Sequence, residues 1–329
     1  MKKKLLTILA VLILCVVLFV KYETGLKTST VFSMDTIMSI KIEGSKENLE
    51  YAENEIRRLD RIFNAYDKGS ELYKINDSCG GQMSPDMQNI IKKSLQLSEF
   101  TYGNFDITLK NLKDLWNIGS ENPKVPHEIE ILSALQKSGM HNIKISGNDI
   151  NLTNGAKLDL GAIAKGYAAD VIAQELKRNG VKKFVLDLGG NVYAYSQEEM
   201  LKIGIQNPYS SRGDTVCVIG LNDAAVVSSG SYERNFEVDG KMYHHILDPK
   251  TGYPARSGLD QVTIVGKDAS LCDALATAIA VAGLNMAEKL YEEGYEFEYM
   301  IVEGNKIYIT ENLIKTVLQT NGDFEFIVN

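Results

Sequence analysis

The chain has 329 residues, of which 44% are hydrophobic and 24% charged, with a formal net charge of −8. That length holds one large domain or two ordinary ones, with enough apolar side chains for a substantial core. The acidic balance, with no long basic stretch and no basic-aromatic alternation, excludes a nucleic-acid surface.

Lys2, Lys3 and Lys4 precede an apolar run over residues 5–20 that is interrupted only by Thr7 and Cys15. This is the pattern of a secretory signal or a short membrane anchor. As a helix the run spans about 24 Å, short of a hydrocarbon core of ~30 Å, and no Ala-x-Ala cleavage site follows. An uncleaved anchor over residues 1–24 is therefore expected, with a lipoprotein modified at Cys15 as second choice, because Leu14 is large for the position before such a cysteine. The lysines stay cytoplasmic and the globular part is exported, to the extracytoplasmic face of the membrane. Residues 24–30 read as a polar linker, and with no second linker, residues 25–329 are expected to form one domain.

Residues 31–42 alternate like a first strand. Leu49, Ala52, Ile56, Leu59 and Phe63 fall at helical spacing over 45–63, and a second helix is predicted over 85–100, with Pro85 in its first turn. A glycine turn carrying an acid, Tyr102-Gly-Asn-Phe-Asp-Ile-Thr108, precedes Leu112 and the only tryptophan, Trp116, and a third helix is expected over 129–138. Residues 156–160 read as a strand, Gly161 as a turn and 162–179 as a helix that Gly180 ends. The next strand, 183–188, closes on Gly189-Gly190, and Asp159-Leu-Gly161 and Asp187-Leu-Gly189 share the same text. Further strands are predicted at 201–205, 215–221, 225–228, 261–265, 298–302, 306–310 and 324–328, with helices over 269–283 and 286–293. Strands and helices mixed without regular β-α repetition predict an α+β fold.

Outside the export segment lie Cys79, Cys217 and Cys272, an odd number without a Cys-x-x-Cys pair. That excludes a disulfide framework and a thiolate zinc site.

Asp273 is the only acid in 269–283, a stretch otherwise made almost wholly of small and apolar residues. A helix apolar on nearly every face is a buried helix, and a lone carboxylate inside it needs a donor, a cation or a metal. Thr277, one turn later, puts a hydroxyl on the same face. Two hard oxygens on one helix suit Mg²⁺. The local alternative is a capping box, Ser270-x-x-Asp273, with Thr277 bonding the carbonyl four residues earlier.

Two loops add to this. Leu158-Asp-Leu-Gly-Ala-Ile-Ala-Lys-Gly-Tyr167 is a glycine turn opening a helix, a geometry that aims free amides at an anion. Lys165 in that first turn opposes the helix dipole unless an anion compensates it; otherwise it is an exposed lysine or a partner of Asp170. His244-His245-Ile-Leu-Asp-Pro-Lys-Thr-Gly252 places two histidines before a turn, where an imidazole can act as general base. Its alternatives are a solvated turn or a zinc site. Ser228-Ser-Gly-Ser231 reads as a turn or as phosphate contacts.

Taken in order, Met34-Asp-Thr36, Phe63-Asn-Ala-Tyr66 with Ser70-Glu-Leu72, Gly103-Asn-Phe-Asp-Ile-Thr108 with Trp116, the 158–167 segment, Asp187-Leu-Gly-Gly-Asn191, Ser229-Gly-Ser-Tyr-Glu-Arg234, His245-Ile-Leu-Asp-Pro-Lys-Thr-Gly252 and Asp273-Ala-Leu-Ala-Thr277 resemble the ApbE-type FAD:protein FMN transferases. The resemblance covers residues 31–310 and departs from the family's usual Met-Gly-Thr at Asp35. It implies a mixed α/β catalytic domain that binds FAD and Mg²⁺, moves FMN onto a Thr or Ser hydroxyl of an acceptor protein and releases AMP. It implies Asp273, Thr277 and the Ala162 carbonyl as magnesium ligands. Met34, Tyr66, Asn104, Phe105, Asp106, Asp159, Lys165 and the Ile246-Leu247 backbone become FAD contacts, and His245 the catalytic group. The alternatives are hydrolysis of FAD to FMN and AMP at the same site, or a surface flavin-binding lipoprotein without turnover. No Asp-Gly-x-Ser/Thr-Gly-Ala-Ser/Thr stretch occurs in the chain, so the acceptor is expected to be another protein, a membrane or extracytoplasmic redox protein.

Overall fold

The computed structural model describes residues 25–211 and 213–329; the anchor expected over residues 1–24 lies outside the described residues. Residues 31–42, expected as one strand, belong to a hairpin of β1 (Leu26–Ser33) and β2 (Thr36–Glu43) in which Ser33 faces Thr36. Met34 and Asp35 turn the chain with φ of 47° and 59°, the two positive values that a tight hairpin turn requires. The alternation runs unbroken through the turn, and Met-Asp is not the Asn-Gly that normally marks one. Most of the expected 24–30 linker is likewise strand.

Helix α1 (Lys46–Phe63) buries Leu49, Ala52, Ile56, Leu59 and Phe63, and the Ser45 side chain caps it. Two short elements that the sequence pattern did not mark follow, α2 (Glu71–Ser78) and β3 (Gly80–Gln82), before α3 (Pro85–Phe100). The glycine turn leads into α4 (Lys110–Trp116) and α5 (Glu128–Leu135). Strands β4 (Ile143–Ser146) and β5 (Asp149–Leu152) join β3 in a small sheet of order β3-β5-β4. Residues 156–160 are not a strand: Asp159 and Leu158 are tied to the Ile107 carbonyl and the Asn76 side chain, and a single bridge joins Lys157 to Leu109. Helix α6 (Ala164–Arg178) then starts two residues later than expected.

The second half supplies β6 (Lys183–Asp187), β7 (Asn191–Ser196), β8 (Leu201–Gln206), β9 (Thr215–Leu221) and β10 (Asp223–Gly230). The ribbon of β11 (Asn235–Val238) and β12 (Lys241–His244) precedes β13 (Gln261–Gly266), α7 (Ala269–Ala282) and α8 (Leu284–Glu292). The chain closes with β14 (Glu298–Glu303), β15 (Lys306–Ile309), α9 (Glu311–Ile314), β16 (Val317–Thr320) and β17 (Glu325–Val328). The main sheet runs β1-β2-β6-β7-β10-β13-β14-β15-β17. Its neighbours are antiparallel except for β15 and β17. The α+β expectation holds, since the helices are grouped rather than interleaved as βαβ crossovers.

Alternation along the strands divides the sheet into two apolar faces. Ile40, Leu186, Ala225, Val227, Val262 and Ile264 pack with α1, α6 and α7 in the largest core cluster. Val226, Val265, Met300 and Val302 face the other way, onto the three-stranded sheet β16-β9-β8. Helix α7 lies between the main sheet and α6, which is why it can be apolar all round: Cys272, Ala274, Leu275, Ala276, Ala278 and Ile279 are all fully buried. Cys79, Cys217 and Cys272 are free. Among the described residues no helix is long and apolar enough to cross a membrane.

The contact between α6 and α7 depends on a missing side chain. A methyl group on Gly166 would stand 2.3 Å from the Ala269 carbonyl oxygen and 2.8 Å from the Ser270 Cα. Backbone cannot move aside as a flexible side chain can, so the helices would have to separate. Gly166→Ala is expected to lower stability by about 1–3 kcal/mol or more in chemical denaturation; an unchanged midpoint would show that the two helices do not pack this closely.

Candidate active site

Asp273 is 3% exposed, and its Oδ2 accepts the Gly166 amide of α6 at 3.0 Å. The capping-box alternative therefore fails. The N-cap of α7 is Asp268, whose side chain accepts the Leu271 amide, while the Ala269 and Ser270 amides donate to Asp170 at 2.7 and 2.9 Å. Asp170 is thus committed to the start of α7 and not to Lys165, and Lys93 neutralises Asp268 at 2.6 Å. Two carboxylates serve the orphan amides of one helix end, where the helix dipole favours negative charge. Asp273 is left free for another task.

Burial pushes the Asp273 carboxyl above its ordinary pKa; the Lys165 charge, the Gly166 amide and the Asn191 side chain pull against that. Lys165 Nζ reaches the Gly189 carbonyl at 3.1 Å, so this cation stands between the β6–β7 turn and the acid. Thr277 sits half-buried one turn beyond Asp273 on α7. Gly166 is the third residue of α6, and the first-turn amides of a helix have no partner within it. The Gly166 amide is given to Asp273, which brings the start of α6, two residues after Ala162, to the carboxylate. Among the described residues there is no group of three His, Cys, Asp or Glu side chains able to hold a metal. One carboxylate, one hydroxyl and one carbonyl make an all-oxygen set, which suits Mg²⁺ and does not suit zinc.

The second part of the site is the loop after β12. The His245 amide and its Nδ1 both meet the Arg234 carbonyl, at 3.0 and 3.3 Å. A carbonyl only accepts, so Nδ1 carries the hydrogen and Nε2 is a bare acceptor, the form a general base needs. Burial, with the charges of Lys113 and Arg234, holds the imidazole below its ordinary pKa, although the residue is only partly buried. His244 turns instead to the Ala255 carbonyl at 2.8 Å. The two rings go to different carbonyls, so they do not converge on zinc. Arg234 is itself held by Asp35, through the carboxylate at 2.7 Å and the carbonyl at 3.0 Å. Asp35, the departure from Met-Gly-Thr, thereby ties the hairpin turn to the histidine loop.

Asp159 adjoins the histidine loop through Lys113, whose charge also acts on His245. Burial pushes its carboxyl up, but Lys113 and the Gly161 amide more than offset this and hold it ionised. Tyr66 lies within the field of Asp159, Asp35 and Arg234, with Lys110 4.1 Å above its ring. The remaining expected residues frame this cluster. Asp106 is turned inward, where Oδ1 accepts both the amide and the hydroxyl of Thr108 at 2.6 Å. Asn104 accepts Lys250 at 2.9 Å, which links the glycine turn to the histidine loop, and Phe105 is a core residue, 1% exposed. The Met34 amide donates to Asp60, and the Met34 side chain leans on the main core. The Ile246 carbonyl accepts the Ala255 amide, Leu247 bridges to Pro254, and Leu247 packs with Trp116. Ser228 pairs with Thr263 across strands β10 and β13 at 2.8 Å. Sequence reasoning gave no role to Lys113, Arg234 or Asn191; the last two stand inside motifs already singled out, whereas Lys113 has no local signal.

A family model described as the ApbE family matches residues 34–301. A Treponema pallidum protein named FAD:protein FMN transferase is 31% identical over 260 residues, covering 72% of this chain and 72% of its own length. An Escherichia coli protein of the same name is 28% identical over 294 residues, covering 84% and 83%. The crystal structure of the ApbE protein from Thermotoga maritima is similar with a TM-score of 0.79 and 32% identity, covering 88% of this chain and 99% of that one. The flavin transferase ApbE from Vibrio cholerae gives a TM-score of 0.76 at 25% identity over the same shares.

The imidazole geometry carries a pH signature. A histidine held neutral in the folded state takes up a proton on unfolding once the pH falls below its ordinary value of about 6.5, so its contribution to stability is present above that pH and lost below it. Between pH 7.5 and 4, wild type is expected to lose more unfolding free energy than His245→Gln. Parallel curves in denaturant titrations across that range would contradict the buried neutral imidazole.

Proposed function

This chain belongs to the ApbE family and is an FAD:protein FMN transferase; we propose that it moves FMN from FAD onto a Thr or Ser hydroxyl of an acceptor protein in a Mg²⁺-dependent reaction that releases AMP. The observation that carries the reading is Asp273, a carboxylate held inside an apolar helix by one backbone amide, with the Lys165 charge acting on it. Asp273, Thr277 and the Ala162 carbonyl would hold the ion, which when bound supplies charge neutralisation at the phosphoryl oxygens.

The chain's own residues then divide the work. Lys165 brings a second positive charge to the pyrophosphate, and the start of α6 offers amides to the same anion. His245 Nε2 takes the proton from the acceptor hydroxyl as its oxygen attacks the phosphorus on the FMN side. The new phosphoester bond forms as the pyrophosphate bond breaks, and AMP departs with the bonding electrons. The Arg234 carbonyl holds the ring through Nδ1, with Arg234 itself fixed by Asp35, and leaves Nε2 as the free acceptor. Lys113 keeps Asp159 ionised beside Tyr66, where both contact FAD. The apolar run over residues 5–20 fits an anchor that places this domain on the extracytoplasmic face of the membrane, near a redox protein as acceptor.

Incubating the protein with FAD, Mg²⁺ and membrane proteins of its own cell is expected to give new covalently flavinylated bands whose mass gain is one FMN. FMN and AMP released without any modified protein would replace transfer by hydrolysis, and intact FAD after hours would leave only binding. His245→Ala is expected to slow transfer by about 10²–10⁴-fold, the usual share of a general base. Asp273→Ala is expected to reduce transfer to background even in saturating Mg²⁺; undiminished activity would remove the metal assignment.

A further inference from the structure

Asn191 opens β7 directly after the Gly189-Gly190 turn and is 1% exposed, yet neither its Nδ2 nor its Oδ1 has a hydrogen-bond partner. Buried amides are almost always paired. In this chain Asn76, 5% exposed, shows the ordinary solution: its side chain accepts the Leu158 amide at 2.6 Å and donates to the Leu158 carbonyl at 2.8 Å. The backbone carbonyl of Asn191 accepts the Leu188 amide at 2.8 Å, and the residue lies opposite Val227 of β10. The carboxamide is buried without a partner, and it lies near enough to Asp273 to favour the charged carboxylate. A buried carboxylate and an unpaired buried carboxamide therefore lie side by side, and Lys165, whose charge acts on the carboxylate, donates to the Gly189 carbonyl.

We propose that Asn191 belongs to the magnesium site, with Oδ1 turned to the ion or to a water that the ion carries, and Nδ2 turned to Asp273. The inference rests on the magnesium reading of Asp273 and extends it to a residue on a different element. The ion's site is then shared by α6, α7 and the β6–β7 turn. That explains the position of the Asp187-Leu-Gly-Gly-Asn191 motif: Gly189, with φ of 75° and no room for a Cβ against Thr36, sets the turn from which Asn191 enters the core. Asn191 acts here as a positioning residue, and its loss is expected to weaken the metal before it alters anything else.

The test is calorimetric titration of MgCl₂ alone into the full chain, together with the Mg²⁺-induced rise in unfolding temperature, for wild type, Asn191→Leu, Asn191→Asp and Asp273→Ala. Asn191→Leu is expected to bind Mg²⁺ about 10–100-fold more weakly, the usual effect of removing a group that orients a metal ligand. Its metal-free unfolding temperature should hold or rise, because an unpaired amide has gone. Asn191→Asp, which keeps the shape and adds a charge, is expected to be less stable than wild type without metal and to show a larger Mg²⁺-induced rise. Wild-type affinity in Asn191→Leu, or a wild-type Mg²⁺ response in Asn191→Asp should the leucine variant fail to fold, overturns the proposal. If Asp273→Ala loses Mg²⁺ binding while both Asn191 variants match wild type, only the role of Asn191 falls. If Asp273→Ala also binds normally, the magnesium reading falls with it.

Discussion

A single contact, between the Gly166 amide and the Asp273 carboxylate at 3.0 Å, sets the geometry of everything around it. It exists because Gly166 has no side chain: α6 and α7 approach until the Ala269 carbonyl occupies the space where a Cβ would stand. Putting a carboxylate there is costly, since desolvation opposes its charge and one amide does not restore what water supplied. The fold keeps it by surrounding α7 with apolar residues while leaving polar groups on one side only. The acid is therefore a stored electrostatic demand, directed at the turn that carries Lys165 and at Asn191.

Around that demand the other charges are arranged so that none of them cancels it. Asp170 and Asp268 are committed to the first turn of α7, and Lys93 to Asp268. Lys113 is committed to Asp159, and Arg234 to Asp35. Each pairing fixes a loop. The Asp35–Arg234 pair joins the β1–β2 turn to the segment whose carbonyl orients His245, and the Asn104–Lys250 bond joins the glycine turn to the far end of the same histidine loop. The site is thus built from separate turns of chain, each held by a polar contact and each seated on the edge of one large core. A phosphoryl transfer needs little more from a protein than this kind of fixed charge placement and alignment.

Much of this was readable from the sequence because the strongest signals are those with a single physical cause. An acid alone in an apolar helix has few explanations, and α7 and Asp273 emerged from that rule. Periodicity found α1 and α3, where a buried stripe repeats over several turns. It failed where the pattern was short or continuous: α2 is too brief to show a stripe, and the β1–β2 turn keeps the alternation of the strands it joins. The capping assignment of Ser270 failed for another reason. Spacing cannot reveal that Asp170, a hundred residues earlier, reaches the same amides first. Lys113 and the orientation of His245 were invisible in the same way, since their partners Asp159 and Arg234 meet them only through the fold.

Diffraction from crystals grown with FAD and Mn²⁺ in place of Mg²⁺, reading the anomalous signal of the metal, tests the role of Asp273 directly. One strong peak is expected within coordination distance of Asp273 and Thr277, beside the FAD pyrophosphate and on the side from which His245 Nε2 faces it. A metal peak away from Asp273, or FAD bound with its pyrophosphate remote from α7, would contradict it.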